Sequence, residues 1–246
     1  MVGLGKITKK GKALYLAYDQ GLEHGPVDFN DKNVDPNYII DIAKKSKVSG
    51  VIYQKGIAEK YSSKGVPLIV KLNGKTSLVK GEPLSRQLCT VKEAVKLKAK
   101  AVGYTIYIGS RHEDVMFREF EKIEKEAHKK NLPVILWAYP RGKGINELSG
   151  KNLAYAARVG LELGADIIKI RYNGDIGDLK WAVRSAGRTK VVVAGGKKKS
   201  PEGFLKEAKE VMKAGAIGLA VGRNIWQAKE PMKVVDKLNK IIWGKC

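Results

Sequence analysis

Cysteine is nearly missing from this chain: Cys89 and Cys246 are the only two in 246 residues. They are far apart and fit no CxxC spacing, so neither a disulfide framework nor a zinc site is expected, and a reducing cytosol suits them. Histidine is almost as scarce. His24, His112 and His128 lack the spacing of a metal site, and no metal is expected. No segment reaches the roughly 18 apolar residues of a membrane span. The basic, glycine-rich stretch 1–12 has no apolar core of a signal peptide, so a soluble, cytoplasmic protein without a membrane partner is expected. Linkers and low-complexity tracts are missing too, which argues for one domain over 1–246. Acidic residues are few, 25 against 47 lysines and arginines, for a formal net charge of +22. Such a balance fits nucleic acid, an acidic membrane surface, a multiply phosphorylated substrate or a lysine-rich thermophilic proteome. The lysines are spread through most helical stretches, and the densest cluster is only Lys197, Lys198 and Lys199. With no recognition motif and no basic stripe interleaved with aromatics, a specific nucleic-acid partner is not expected.

What is present is a regular alternation. Short apolar runs, each bounded by a turn signal, occupy Leu14–Asp19, Val51–Gln54, Pro67–Leu72, Ala101–Ile108, Pro133–Tyr139, Asp166–Tyr172, Lys190–Ala194 and Gly218–Val221. Nearly continuous in Val, Ile, Leu and Tyr, they read as strands of a parallel sheet covered by helices. Between them lie helical patterns. In Glu113–Lys130, Met116, Phe120, Ile123 and Ala127 recur at spacings of three and four, with charges on the other faces. Similar patterns fill Pro36–Lys47, Leu148–Leu163, Pro201–Lys213 and Pro231–Ile242. Asp35-Pro36 and Ser200-Pro201 read as caps followed by a first-turn proline, and Gly164 and Gly215 as helix ends. Alternation along the whole chain specifies an α/β fold. Eight strands in about 250 residues favour a single (β/α)8 TIM barrel over an open doubly wound sheet.

In such a barrel, function sits at the carboxyl ends of the strands. Side chains alternate along a strand, so in Asp166–Tyr172 the pair Ile168 and Ile170 should meet the helices while Lys169 and Arg171 project inward. A lysine buried there loses hydration and drops its pKa, more so beside a second cation. The resulting neutral amine can attack a carbonyl. A lysine paired with a barrel carboxylate is the structural alternative. Lys71, in Leu-Ile-Val-Lys-Leu, occupies a comparable place, and pattern does not choose between the two. Trp137 and Tyr139 end another strand on one face, and an inward tyrosine could move protons; a core aromatic is the alternative. Asp19 opens a loop dense in polar groups and glycine. The last two strands run into Gly195-Gly196 and Gly222-Arg223-Asn224. Loops after strands seven and eight, followed by a short helix, form the usual phosphate site of this fold, with Arg223 adding charge.

These residues carry a resemblance. Leu16-Ala-Tyr-Asp-Gln-Gly-Leu-Glu-His-Gly-Pro26, Gln54-Lys-Gly-Ile-Ala-Glu-Lys-Tyr61, Lys71-Leu-Asn-Gly-Lys-Thr76, Gly103-Tyr-Thr-Ile-Tyr107, Trp137-Ala-Tyr-Pro-Arg-Gly142, Lys169-Ile-Arg-Tyr-Asn-Gly-Asp175 and Ala220-Val-Gly-Arg-Asn-Ile-Trp226 resemble the archaeal-type class I fructose-1,6-bisphosphate aldolases, within the DeoC/FbaB-like aldolases. The likeness runs in order from about Lys12 to Trp226. It implies a TIM barrel in which Lys169, not Lys71, forms a Schiff base with a phosphorylated sugar. It further implies Tyr139 as general acid/base, Trp137 and Asp19 lining the site, Gly196, Gly222 and Arg223 on the near phosphate with Gly195 beside them, and Arg141 toward the far phosphate. No cofactor is implied, and members form homo-oligomeric rings, often decamers. Two positions depart from the family pattern: Gln20 where histidine is usual, and Ala194 where serine often precedes the glycine pair. A related synthase making a deoxy-aminoheptulosonate shares the barrel, the lysine and the tyrosine; the Glu23-His24-Gly25 segment favours the aldolase.

Overall fold

The computed structural model describes residues 2–61 and 65–244, so Cys246 lies outside the described residues. Eight parallel strands close into a barrel. They are β1 (Ala13–Ala17), β2 (Gly50–Gln54), β3 (Leu68–Lys71), β4 (Ala101–Ile108), β5 (Val134–Pro140), β6 (Ile167–Ile170), β7 (Lys190–Ala194) and β8 (Gly218–Val221). Each strand pairs with its neighbours in sequence order, and β1 closes the ring against β8, with Ala13 opposite Gly218 and Leu16 opposite Val221. Closure leaves no free edge, which is why short, wholly apolar strands can serve here without templating aggregation. All eight expected strands are present. The run Leu14–Asp19 stops as a strand at Ala17 and Asp166–Tyr172 at Ile170, so Asp19 and Arg171 sit just past the strand ends, in the loops.

Alternation along the strands separates two cores. One set, including Ala13, Tyr15, Ile52, Ile69, Ile135, Ile167, Val192 and Ala220, fills the barrel interior. Ile7, ahead of β1 and 1% exposed, joins that interior set and closes its floor. The other, larger set lies between the strands and the helices, with Leu14, Val51, Val70, Ile168 and Ile170 facing outward.

Helices cover the barrel for the local reasons read from the sequence. Asp35 caps Pro36–Ser46 by accepting from the Asn37 amide, and Ser200 caps Pro201–Lys213 by accepting from the Gly203 amide. Gly164 and Gly215 end their helices at φ +80° and +94°, a conformation in which glycine carries no Cβ penalty. Glu113–Lys129 buries Met116, Phe120, Ile123 and Ala127, the stripe its spacing called for. Among the elements that went unread are the helix Val91–Lys96, opened by a capping box of Thr90 and Glu93; the helix Ile176–Ser185, capped by Asp175; the short helices Gly21–His24 and Lys55–Lys60; and a short antiparallel pairing of Asn73–Gly74 with Arg86–Gln87. Among the described residues no helix is long and apolar enough to cross a membrane.

Candidate active site

A cavity of about 570 Å³ opens at the carboxyl end of the barrel, within the usual size range of small-molecule sites. Every strand contributes at or just past its end: Ala17 and Asp19, Gln54, Lys71, Thr105 and Tyr107, Trp137 and Tyr139, Lys169 and Arg171, Ala194, and Ala220. Eight lysines and arginines line it against three carboxylates, Asp19, Glu23 and Glu207. The excess of cations makes it a receptor for an anion.

Lys169 projects into this cavity, as the alternation of β6 requires. Its neighbour Ile168 points the other way, onto Gly160 of helix Gly150–Glu162, where an added Cβ would lie 2.6 Å from the isoleucine. Lys169 is 5% exposed, and its Nζ sits 4.7 Å from the centroid of the Trp137 ring. The ion pairs found around the cavity join Arg141, Arg171, Arg223 and Lys199 to carboxylates; none of those described reaches Lys169. Burial pulls the amine below the ordinary lysine range; Asp19 opposes the shift, Arg171 reinforces it, and Glu23 opposes it. The alternative of a carboxylate-locked lysine is therefore not what the barrel contains. Lys71 enters the same cavity from β3, also 5% exposed, with its Nζ donating to the Asn73 carbonyl at 3.0 Å.

Trp137 reaches over β4 because that strand lacks a side chain at Gly103, and both lysines approach its ring, Lys71 at 5.4 Å and Lys169 at 4.7 Å from the centroid. An added Cβ there would lie 2.1 Å from Cζ3 of the indole, so the ring occupies the space a residue at 103 would take. Its Nε1 is buried without a hydrogen-bond partner among the described residues. Tyr139 stands two residues on, on the same face. Burial raises its phenol above the ordinary range, and the guanidinium of Arg171, 5.1 Å from the ring centroid, works against that rise.

Arg141 is held more tightly than its place in a loop suggested. It pairs with Glu23 at 2.9 Å and Glu147 at 2.7 Å, and Glu147 also takes Arg171 at 2.5 Å. One carboxylate thus fixes two guanidiniums on one wall. Glu147 was not singled out from the sequence: it lies in a polar loop with no motif around it.

The loops after β7 and β8, expected to take a phosphate, come together at the cavity. Gly195 follows β7, Gly196 adopts φ +68°, and Gly222 cannot carry a side chain, since a Cβ would lie 2.8 Å from the Ala17 carbonyl. Arg223 begins the short helix Arg223–Trp226. Its guanidinium donates to Asp28 at 3.2 Å and to the Gly196 carbonyl at 3.3 Å, and Asp28 in turn holds His24 at 2.6 Å. Asn224, 4% exposed, ties the loops to each other. It donates to the carbonyls of Gly195 and Lys197 and accepts from the Lys199 amide, at 2.8 to 2.9 Å. Arg-Asn after the Gly222 signal was legible; that the asparagine is the clamp was not. Gln20 and Ala194, the two departures from the family pattern, both line the cavity.

A buried amine with no carboxylate partner among the described contacts, at the carboxyl mouth of a (β/α)8 barrel in a cavity lined by an excess of cations, defines the class: a barrel enzyme of the lysine-dependent, Schiff-base kind. Comparison with known proteins narrows it. The model of the DeoC/LacD family of aldolases matches residues 13–228. A class 1 fructose-bisphosphate aldolase of Thermoproteus tenax is 50% identical over 96% of this chain and 92% of its own length. One from Halobacterium salinarum is 46% identical over 98% of this chain and 94% of its own. A solved archaeal fructose-1,6-bisphosphate aldolase, its catalytic lysine covalently bound to the carbinolamine intermediate of the substrate, superposes with a TM-score of 0.95 at 48% identity, covering 98% of both chains. The chain belongs to the DeoC/LacD aldolases, in their archaeal class I fructose-bisphosphate aldolase branch.

Proposed function

We propose that this protein reversibly cleaves fructose 1,6-bisphosphate to dihydroxyacetone phosphate and glyceraldehyde 3-phosphate, with Lys169 as the Schiff-base lysine. The observation that carries the reading is the amine of Lys169, buried at the barrel mouth without a carboxylate partner. Neutral Lys169 adds to the C2 ketone of the open-chain sugar, and loss of water leaves an iminium ion. The C3–C4 bond then breaks: its electron pair passes into the iminium to give an enamine, and the C4 hydroxyl gives up its proton as the aldehyde forms. Protonation of the enamine at C3 and addition of water release the ketone product and the free lysine.

Tyr139 is the proton carrier in this scheme. Its raised pKa keeps the phenol protonated at rest, and Arg171 beside the ring eases the phenolate through which a proton would pass. Asp19 and Trp137 shape the walls around the reacting carbons. Gly195, Gly196, Gly222 and Arg223 take the phosphate next to the ketone, and Arg141 the far one; holding both ends fixes the chain in register over Lys169. The deoxy-aminoheptulosonate synthase alternative is not favoured by the relatives found. With the aldolase reading go one domain over 1–246, a place in glycolysis and gluconeogenesis, a cytoplasmic setting, and a homo-oligomer as large as a decamer.

The test is cleavage of fructose 1,6-bisphosphate by the purified protein in excess chelator. The wild type should release both triose phosphates and Lys169→Met should release neither. Cleavage lost on chelation, or kept by the variant, contradicts the assignment.

A further inference from the structure

The arginine assigned to the far phosphate is already engaged by two carboxylates. Arg141 turns one edge to Glu147, with Nε donating to Oε1 at 2.7 Å and Nη2 to Oε2 at 3.4 Å. Its third nitrogen, Nη1, donates to Glu23 at 2.9 Å, and the guanidinium lies over the Tyr107 ring, 5.0 Å from the centroid. Glu147 also holds Arg171. Two guanidiniums and two carboxylates therefore meet on this wall, and their charges cancel. A phosphate arriving there finds no net positive charge, and Nη1 is held by another anion. The two carboxylates are not held alike. Glu147 uses both oxygens and is pinned by two guanidiniums. Glu23 makes one bond among the described contacts, from the four-residue helix Gly21–His24, and its side chain is 34% exposed and lines the cavity. Of the two, Glu23 is the one that can give way.

We propose that Glu23 is a specificity-determining residue: it competes with the far phosphate of the sugar for Nη1 of Arg141, and the bisphosphate seats fully only as Glu23 leaves. The proposal rests on the aldolase reading and on the place that reading gives Arg141. When the far end of the sugar carries no phosphate, Glu23 stays, and Arg141 is spared the loss of a partner for a largely buried charge. Glu23 thus subtracts from the affinity for a bisphosphate and leaves that for an uncharged far end untouched, which narrows the preference between the two. Exchanging a carboxylate for a phosphate keeps a charge-assisted bond to the guanidinium, so the effect is a difference between partners rather than a whole bond. For an ion pair as open to solvent as this one, that difference is about three- to fivefold in apparent affinity.

The readout is the ratio of kcat/KM for fructose 1,6-bisphosphate to that for fructose 1-phosphate. Glu23 also favours charge on Lys169, but that influence is common to both substrates, and the ratio removes it. Glu23→Gln should raise the ratio about three- to fivefold, chiefly through a lower KM for the bisphosphate. In an Arg141→Ala background the same substitution should leave the ratio where it was, because no guanidinium remains to compete for. A ratio unmoved by Glu23→Gln while Arg141 is present overturns the proposal. So does a rise of equal size in both backgrounds, which would mean that Glu23 merely repels the phosphate. Failure of the underlying reading would look different: a wild type that cleaves neither sugar, or Arg141→Ala lowering both activities alike, removes the far phosphate from Arg141 and the proposal with it.

Discussion

Adding one methyl group at Gly103 should disable the site from a strand that touches none of the proposed chemistry. The backbone at 103 is ordinary strand, so an alanine there is resisted by crowding rather than by conformation. Its Cβ would lie 2.1 and 2.2 Å from Cζ3 and Cη2 of Trp137, whereas ordinary contact begins near 3.4 Å. The indole must retreat by more than about 1 Å, the size of misplacement that can cost on the order of 100-fold in rate. Its retreat disturbs both lysines, since the ring is the surface on which each rests. Overpacking of this kind costs about 1–3 kcal/mol of stability. The clashing atoms belong to the benzo ring, and phenylalanine at 137 would not reach them. Gly103→Ala should therefore lower kcat/KM for bisphosphate cleavage by about 10- to 100-fold and bring the urea midpoint down. In the Trp137→Phe background the same substitution should cost little stability, so the two changes couple strongly in a double-mutant cycle. Gly103→Ala with full activity and an unchanged midpoint would refute the packing argument, as would stability losses that simply add.

Three further outcomes follow from other contacts. Asn224→Ala removes one buried and two partly buried hydrogen bonds from the proposed phosphate loops; it should raise KM about tenfold or more, with kcat changed less, and steady-state kinetics on the bisphosphate would show it. Arg141→Ala should raise KM for fructose 1,6-bisphosphate by about 10- to 100-fold and leave fructose 1-phosphate nearly unaffected; an equal loss on both substrates would mean that the far phosphate lies elsewhere. Burial holds the pKa of Lys71 down at about 8 in the folded chain, against the ordinary lysine value of 10.5, so the unfolded chain binds more protons between those values. Stability should then rise with pH across that window, by on the order of 3 kcal/mol from this residue, and Lys71→Met should flatten the rise in urea titrations.

The barrel was readable because its signal is local. Strand runs such as Ala101–Ile108 are buried along their whole length, and two-residue alternation alone sent Lys169 inward and Ile168 outward. Caps at Asp35 and Ser200 needed only neighbouring residues. The helix Val91–Lys96 carried the same kind of signal in Thr90 and Glu93, but six residues are too few for an apolar period to stand out. The contacts that went unread join distant parts of the chain. Glu147 meets Arg171 only because the loops after β5 and β6 converge over the mouth. Asn224 clamps a loop some thirty residues earlier in the chain. Gly103 looked like a weak point in a strand, and its purpose appears only when the Trp137 ring is seen lying across it. A single sequence carries period and capping; it does not carry which loops meet.

The claim on which the rest depends is that the amine of Lys169 bonds covalently to a keto phosphate, and borohydride reduction tests it most directly. Protein incubated with dihydroxyacetone phosphate and reduced should gain the mass of one reduced adduct per chain, with peptide mapping placing it on Lys169 and Lys169→Met gaining nothing. An adduct mapped to Lys71, or one that persists in the variant, would contradict the account.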